Sequence, residues 1–280
     1  MQRSVDLGQL RAAYRMLWTV GWFCGLRQGA SRRRAVVSSR SGLLPYVNPM
    51  LTNRILSSLS PLDLDCMRPF LEFVSLRDRA VLQEPHRRIQ SVDFVESGIV
   101  SMTRLAAGDV VELATVDSRG VVGLSVALGA RVSVYRSVVL VPGTALRIGA
   151  EELKRCMDER PQIRDTLLQY VHSFMIHSAQ TAVCRVRHGL EQSLATWLCL
   201  VCDSLGYSAL PITHDQLSMV LGSRRASITK ALIRFEEQGL LQKQRGVLQV
   251  RDPELLRQKA CCCYGTISNA YRRKNSQPPV

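Results

Sequence analysis

The chain has 280 residues, 46% of them hydrophobic, with 37 Lys and Arg against 23 Asp and Glu. That length suggests about two domains with packed cores, and the composition excludes a low-complexity or disulfide-stapled miniature. A net charge of +14 and a pI near 9.8 favour a polyanionic partner, nucleic acid first and an anionic membrane surface second. The 9 cysteines lack the even, regular framework of a secreted domain, so they read as reduced thiols in a cytosolic compartment.

The only long apolar run near the start, LWTVGWFCGL (Leu17 to Leu26), is about half the roughly 20 residues a spanning helix needs, so no membrane crossing is expected. A signal-peptide core is its alternative reading, because arginines precede it and Gly29 and Ala30 follow. With the basic SRRRAVVSSRSG stretch, residues 1–47 read as a poorly ordered basic extension. From Asn48, apolar residues at Ile55, Leu59, Leu62, Leu64, Met67 and Leu71 suggest short helices around Pro61. Six short Val-rich runs follow: SVDFVESG, GIVSMTRLAAG, DVVELATV, GVVGLSVALG, VSVYRSVVLVPG and TALRIG. Gly, Asp and Pro punctuate them, as in an antiparallel barrel or sandwich, with a hairpin tip at Ala107-Gly108-Asp109. Residues 48–150 are thus expected to form one β domain.

At about Glu151 the period changes from two to near three and a half. One row runs Ile163, Tyr170, His177, Cys184 and its companion Leu167, Phe174, Thr181, which predicts a long helix with a subunit seam on those rows, packing on its own β domain alone being the competing reading. A second stripe, Leu168, Val171, Met175, Ala182 and Val186, is then expected to face the β domain. LEQSLATWLCLVCDSLG continues the helical pattern to Gly206, giving a dimerisation and coupling segment over residues 151–206.

Residues 207–258 carry the strongest signal. Thr213 can cap a helix HDQLSMVL with Leu217, Val220 and Leu221 on one face, and Gly222 supplies a tight turn. Ser223 then begins a second helix, about 223–238, whose buried stripe is Ile228, Leu232 and Phe235. LLQKQRGVLQV reads as a two-stranded wing turning at Arg245-Gly246. Such a winged helix-turn-helix would place the second helix in the major groove, where Arg225 can offer two parallel donors to guanine. The candidate DNA face comprises Ser223, Arg224, Arg225, Ala226, Ser227, Thr229, Lys230, Arg234, Lys243 and Arg245, with Arg224, Lys230, Lys243 and Arg245 assigned to phosphate. A solvated basic face on a protein-interaction module with a vestigial DNA-binding head is the competing reading.

At these residues the chain resembles the Crp/Fnr family of bacterial transcription regulators, from about Asn48 to Tyr264, with ITHDQLSMVLGSRRASITKALIRFEEQGLL running ungapped against the family pattern. The resemblance implies an α+β fold: an N-terminal antiparallel β-roll resembling a cyclic-nucleotide-binding domain, a long dimerisation helix, and a C-terminal winged helix-turn-helix. It also implies a cytoplasmic homodimer on double-stranded DNA with a near-palindromic operator, RNA polymerase as a further partner, and a small-molecule effector. Arg225, Ala226 and Lys230 fall at base-reading positions; many members have glutamate in place of Ala226, so operator preference does not carry over. Members that bind cyclic AMP use a Gly-Glu-Leu turn and an Arg-Ser or Arg-Thr pair. Here those places read Gly123-Leu124-Ser125 and Arg136-Ser137. Losing the carboxylate costs about 1.5 to 3 kcal/mol, so cyclic AMP is not the expected ligand.

Other constellations point to packing. Cys199 and Cys202 sit inside an apolar helix with no second pair spaced for zinc. Cys261, Cys262 and Cys263 are too close in sequence to close a tetrahedral site without help from elsewhere, and read as exposed thiols in a tail over residues 259–280. Iron–sulfur members carry a cysteine cluster ahead of the roll, where this chain has only Cys24 and Cys66. A cupin-like barrel enzyme would need histidines in the strand run; His86, His172, His177, His188 and His214 all lie outside it. No catalytic residues, no metal site and no cofactor are expected.

Overall fold

The computed structural model describes residues 51–106, 109–244 and 246–272. The expected basic extension, the hairpin-tip residues Ala107 and Gly108, Arg245 of the wing, and residues 273–280 lie outside them.

Two short helices, α1 (Arg54–Ser57) and α2 (Pro61–Met67), precede the sheet. Asn53 caps the first: its Oδ1 accepts from the Ile55 and Leu56 amides, while its Nδ2 donates to the Val95 and Gly120 carbonyls at 2.8 Å each. One buried amide side chain therefore both starts the helix and ties it to the roll. Ser60 caps α2, with Pro61 in the first turn.

The roll comprises β1 (Glu72–Leu76), β2 (Val81–Gln83), β3 (Ser91–Ala106), β4 (Asp109–Val116), β5 (Val121–Val122) and β6 (Arg136–Gly149). All pairings are antiparallel, in the order β1-β6-β3-β4, with β2 on β6 and β5 on β3. The runs SVDFVESG and GIVSMTRLAAG are one 16-residue strand, and the runs on either side of Pro142-Gly143 also merge. Their glycines act as bulges rather than ends. Gly98 adopts φ +87°, and the β3–β6 register shifts around it. A Cβ on Gly98 would lie 2.5 Å from the Val141 carbonyl oxygen, and one on Gly143 would lie 2.0 Å from that of Ser97. The run GVVGLSVALG is mostly not strand: β5 ends at Val122, and Gly123 (φ +92°) turns the chain into a 3₁₀ segment, Leu124–Leu128.

Helix α3 (Ala150–Glu159) leads into the 27-residue α4 (Pro161–Arg187), followed by α5 (Leu190–Leu205), which Gly206 ends at φ +70°. The faces of α4 are the reverse of the expectation except at Val171, which lies against the β domain as expected. Ile163, Leu167, Tyr170, Val171, Phe174, His177 and Cys184 are buried within their own chain, all but His177 and Cys184 in the roll core. The outward stripe is Leu168, His172, Met175, Ala179, Ala182 and Val186, in alternating steps of four and three residues. The covering comes from the roll and from the residues after 258, expected as a tail. The chain continues from α8 (Pro253–Lys259) into α9 (Cys263–Arg272), and α9 packs back on α4. The Tyr271 ring meets His177 edge-on at 5.7 Å, its hydroxyl lies 3.0 Å from His177 Nδ1, and Ser173 Oγ donates to the Ala270 carbonyl at 2.9 Å. Those contacts occupy the row read as a seam. Cys261 and Cys263 are accordingly buried, and only Cys262 of the three is exposed.

The head consists of β7 (Ala209–Leu210), α6 (His214–Leu221), α7 (Arg225–Glu237), β8 (Leu241–Gln244) and β9 (Val247–Val250). Its core joins Leu217, Val220, Ile228, Leu232 and Phe235 to Leu194, Leu198 and Val201 of α5, so α5 packs as part of the head. Ile99, Leu140 and Val141 of the roll belong to that same cluster.

Candidate nucleic-acid interface

The turn between α6 and α7 follows from its residues. Thr213 accepts from the Gln216 amide while Gln216 Oε1 accepts from the Thr213 amide at 2.8 Å, a reciprocal cap. Gly222, at φ +59°, lets the chain reverse, and the Ser223 amide donates to the Ser218 carbonyl at 3.0 Å. The helix starts two residues later than Ser223: Arg224 is its cap and contributes no side-chain capping bond. The first turn of α7 thus has no side-chain oxygen over it, though the Ser227 amide donates to the Arg224 carbonyl at 2.9 Å, and an uncapped helix start favours an anion.

Four apolar residues of α7, Ile228, Ala231, Leu232 and Phe235, are buried. Arg224, Arg225, Ala226, Lys230 and Arg234 are exposed, and Ser223, Ser227 and Thr229 are half-buried at the edge of that face. The face is not a set of free cations. Arg225 Nε lies 3.1 Å from Asp215 of α6, and Arg234 lies 2.6 Å from Glu191 of α5. Both pairs are solvent-exposed and worth little by themselves, so a phosphate or a guanine edge can compete for either arginine. Thr229 Oγ1 lies 2.9 Å from His214 Nδ1 and donates to the Arg225 carbonyl at 3.0 Å, fixing the first turn of α7 against α6. Lys243 extends from exposed strand β8, and its amide donates to Glu236 at 2.7 Å.

A polar junction that sequence reasoning missed joins this head to the roll. Glu112 of β4 is buried; Ser101 Oγ donates to one carboxylate oxygen and Trp197 Nε1 donates to the other at 3.1 Å. Beside it, Arg185 at the end of α4 donates from Nη2 to the Glu112 carbonyl at 3.1 Å and to the Val220 carbonyl of α6. Gln216 Nε2 donates to the Leu140 carbonyl at 3.4 Å. Burial pushes the Glu112 carboxyl up to about 7, against the opposing pull of Ser101, Arg185 and Trp197. The one sequence signal was a lone glutamate in a Val-rich strand run.

The expected effector residues fall on either side of β2. A Cβ on Gly123 would lie 2.9 Å from Gln83 Nε2, Leu124 is buried, and Ser125 accepts from the Ala130 amide at 3.0 Å. Arg136 is engaged by Glu84 at 3.3 Å, and Ser137, opposite Gln83 in the β2–β6 register, is buried with no hydrogen-bond partner for its hydroxyl among the described residues. A carboxylate thus stands at the arginine where the resemblance would put a cyclic phosphate.

Residues 192–259 match the model of the Crp-like helix-turn-helix domain. The global nitrogen regulator of Synechocystis sp. is 23% identical over 180 residues, 61% of this chain and 80% of that protein. Its counterpart in Synechococcus elongatus is 22% identical over 180 residues, 61% of this chain and 81% of that protein. The solved structure of FixK2 from Bradyrhizobium japonicum superposes with a TM-score of 0.60 at 16% identity, covering 69% of this chain and 98% of that one. A Crp/Fnr-family transcriptional regulator from Eubacterium rectale gives 0.58 at 18% identity, covering 74% and 98%. These relatives are regulators, which sets aside the barrel-enzyme reading. Among the described residues no helix is long and apolar enough to cross a membrane. Residues 192–259 are thus a Crp-like helix-turn-helix domain, set on the fold that those solved structures share.

Proposed function

We propose that the chain acts as a homodimer that reads a near-palindromic DNA site, with α7 in the major groove. Arg225, Ala226, Thr229 and Lys230 face base edges; Arg224, Lys243 and Arg245 hold phosphate; Ser223 and Ser227 line the approach; Arg234 reaches the backbone after leaving Glu191. The observation that carries this reading is the polarity of α7: an apolar side sunk in the head and an arginine-lined N-terminal turn in solvent. The outward stripe of α4 supports the dimer, because Met175 and Val186 are 63% and 82% exposed on a helix whose opposite side is fully packed. Two copies of α7 about one helical turn apart, near 34 Å, would then meet successive major grooves.

The roll is proposed to sense a ligand other than a cyclic nucleotide. Glu84 against Arg136 supports this, since a carboxylate must be displaced before a phosphate can bind there. A cavity lined by Gln83, Glu84, Arg87, Arg88, Ser133 and Arg147 adjoins the pair and offers mixed charge rather than a purely cationic cradle.

Selection of bound fragments from random duplex DNA by the full chain tests the function. An inverted repeat enriched by wild type and lost with Arg225→Ala plus Lys230→Ala supports it. Enrichment of no sequence, with the folded protein binding duplexes weakly and without salt dependence, would favour the protein-interaction reading.

A further inference from the structure

Among the described residues the two apolar cores hold nearly all of the buried apolar side chains. A third, separate cluster consists of cysteines alone: Cys184, Cys261 and Cys263. His188 joins them, and one ligand atom from each of the four residues can be chosen so that all lie within 4.8 Å of one another. Cys184 and His188 stand four residues apart at the end of α4, where the helix turns both toward the same side. Cys261 comes from the short connection between α8 and α9, and Cys263 is the first residue of α9. This is the help from elsewhere that the Cys261–Cys263 run lacks in sequence.

We propose that Cys184, His188, Cys261 and Cys263 form a tetrahedral Cys₃His site for a single zinc ion. Two of the pairs already stand near the spacing a tetrahedral ion imposes, and no pair in the set is wider than 4.8 Å. Cys184 Sγ lies 3.5 Å from Cys261 Sγ, and Cys263 Sγ lies 3.5 Å from His188 Nδ1. Ligands about 2.3 Å from a tetrahedral zinc are about 3.8 Å apart, so rotation of the side chains suffices. An iron–sulfur cluster interposes several atoms between its cysteines and spreads them further than this. Three soft sulfurs and one imidazole in a tetrahedron suit zinc and are ill suited to magnesium, calcium or manganese.

The surroundings carry a second, independent argument. Each sulfur has its own polar neighbour: Thr196 Oγ1 at 3.1 Å from Cys261, Gln180 Nε2 donating at 3.1 Å to Cys263, and Ser193 Oγ at 3.5 Å from Cys184. The Cys261 amide donates to Thr196 Oγ1 at 3.0 Å, which leaves the hydroxyl proton to point at the Cys261 sulfur. Cysteines buried only as small hydrophobes have no use for such donors. Metal-bound thiolates do, because hydrogen bonds to their remaining lone pairs orient them and spread their charge. The Cys199 and Cys202 pair shows the contrast: Cys199 lies in the apolar core of the head, and Cys202 packs against that core. Exposed Cys262 lies 3.9 Å from the other ring nitrogen of His188, outside the four-ligand set. The ion would fasten the α8–α9 connection across the joint between α4 and α5, the point where the head meets the long helix.

The test uses the full chain, expressed with zinc and purified without chelator, and assayed by elemental analysis. The expected result is about one zinc per chain, falling to below about a tenth in Cys261→Ser/Cys263→Ser and unchanged in Cys262→Ser and Cys199→Ser. Should the double variant not fold, two measurements on wild type decide the matter. Cobalt substitution is expected to give thiolate-to-cobalt charge transfer and the intense visible bands of a tetrahedral ion. Chelator is expected to open Cys184, Cys261 and Cys263, but not Cys199, to mass-mapped alkylation. Metal-free protein after zinc reconstitution, iron with acid-labile sulfide, a Cys184–Cys261 disulfide, or equal zinc in wild type and a folded double variant would each overturn the site.

Discussion

Replacing Glu112 by glutamine isolates the buried carboxyl at the junction of roll and head. Its folded-state value of about 7 lies some 2.5 pH units above the ordinary 4.5. Below 4.5 the folded and unfolded chains both hold this proton, and its stabilising effect is complete. As pH rises toward 7 the unfolded chain releases the proton and the folded chain keeps it, so wild-type stability falls by about 1.4 kcal/mol per unit, about 3 kcal/mol in all, and levels off above. The glutamine side chain of the variant carries no proton to lose, yet its amide oxygen can still accept from Trp197. His177, which burial lowers from 6.5 to about 4, contributes the opposite slope between those values, but it is present in both proteins and drops out of the difference. Urea unfolding of the two proteins at steps from about pH 5 to about pH 8 is therefore expected to show the variant gaining on wild type by about 2 to 3 kcal/mol, about 1.4 per unit until pH 7. A difference that stays constant across that range refutes a dry, proton-holding Glu112.

Arg225→Ala is expected to cost about 1 to 3 kcal/mol of operator affinity and to relax preference at one base pair per half-site, read by competition binding against single-base variants. Lys243→Ala is expected to weaken all duplexes alike and to lower the slope of log affinity against log salt by about one, since it removes one phosphate contact. Met175→Glu puts a charge into the outward stripe of α4; sedimentation is expected to show monomer, with thermal stability of the monomeric fold retained because Met175 is 63% exposed there. Gly143→Ala meets the Ser97 carbonyl oxygen at 2.0 Å, a backbone atom that cannot swing aside, so a loss of several kcal/mol is expected on chemical denaturation.

The helix-turn-helix was legible because each of its parts leaves a local mark: Thr213 and Gln216 at a helix start, Gly222 at the left-handed turn, and apolar residues at helical spacing on α7. The antiparallel roll was legible as a class from its Val-rich runs, but not its strand count. Gly98 and Pro142-Gly143 look like strand ends in sequence, whereas in space they meet as paired bulges inside two long strands. Periodicity does not say which apolar stripe of α4 its own chain covers: the roll buries Ile163 to Phe174, and the return of α9, anchored by Tyr271 on His177, covers the row further along. Long-range pairings leave no periodic trace. Glu112 with Trp197 spans 85 positions and Cys184 with Cys261 spans 77, and nothing in either residue's neighbourhood announces the partner.

Ile99, Leu140 and Val141 leave the roll to lie among the buried side chains of the head. Roll and head therefore share oil directly, in addition to being strung on one long helix. Any event that shifts the β3–β6 edge by even a fraction of an ångström must be absorbed by α5 and α6, since close-packed interiors resist compression. A displacement can pass sideways between these neighbours, by a route far shorter than the 27-residue rod.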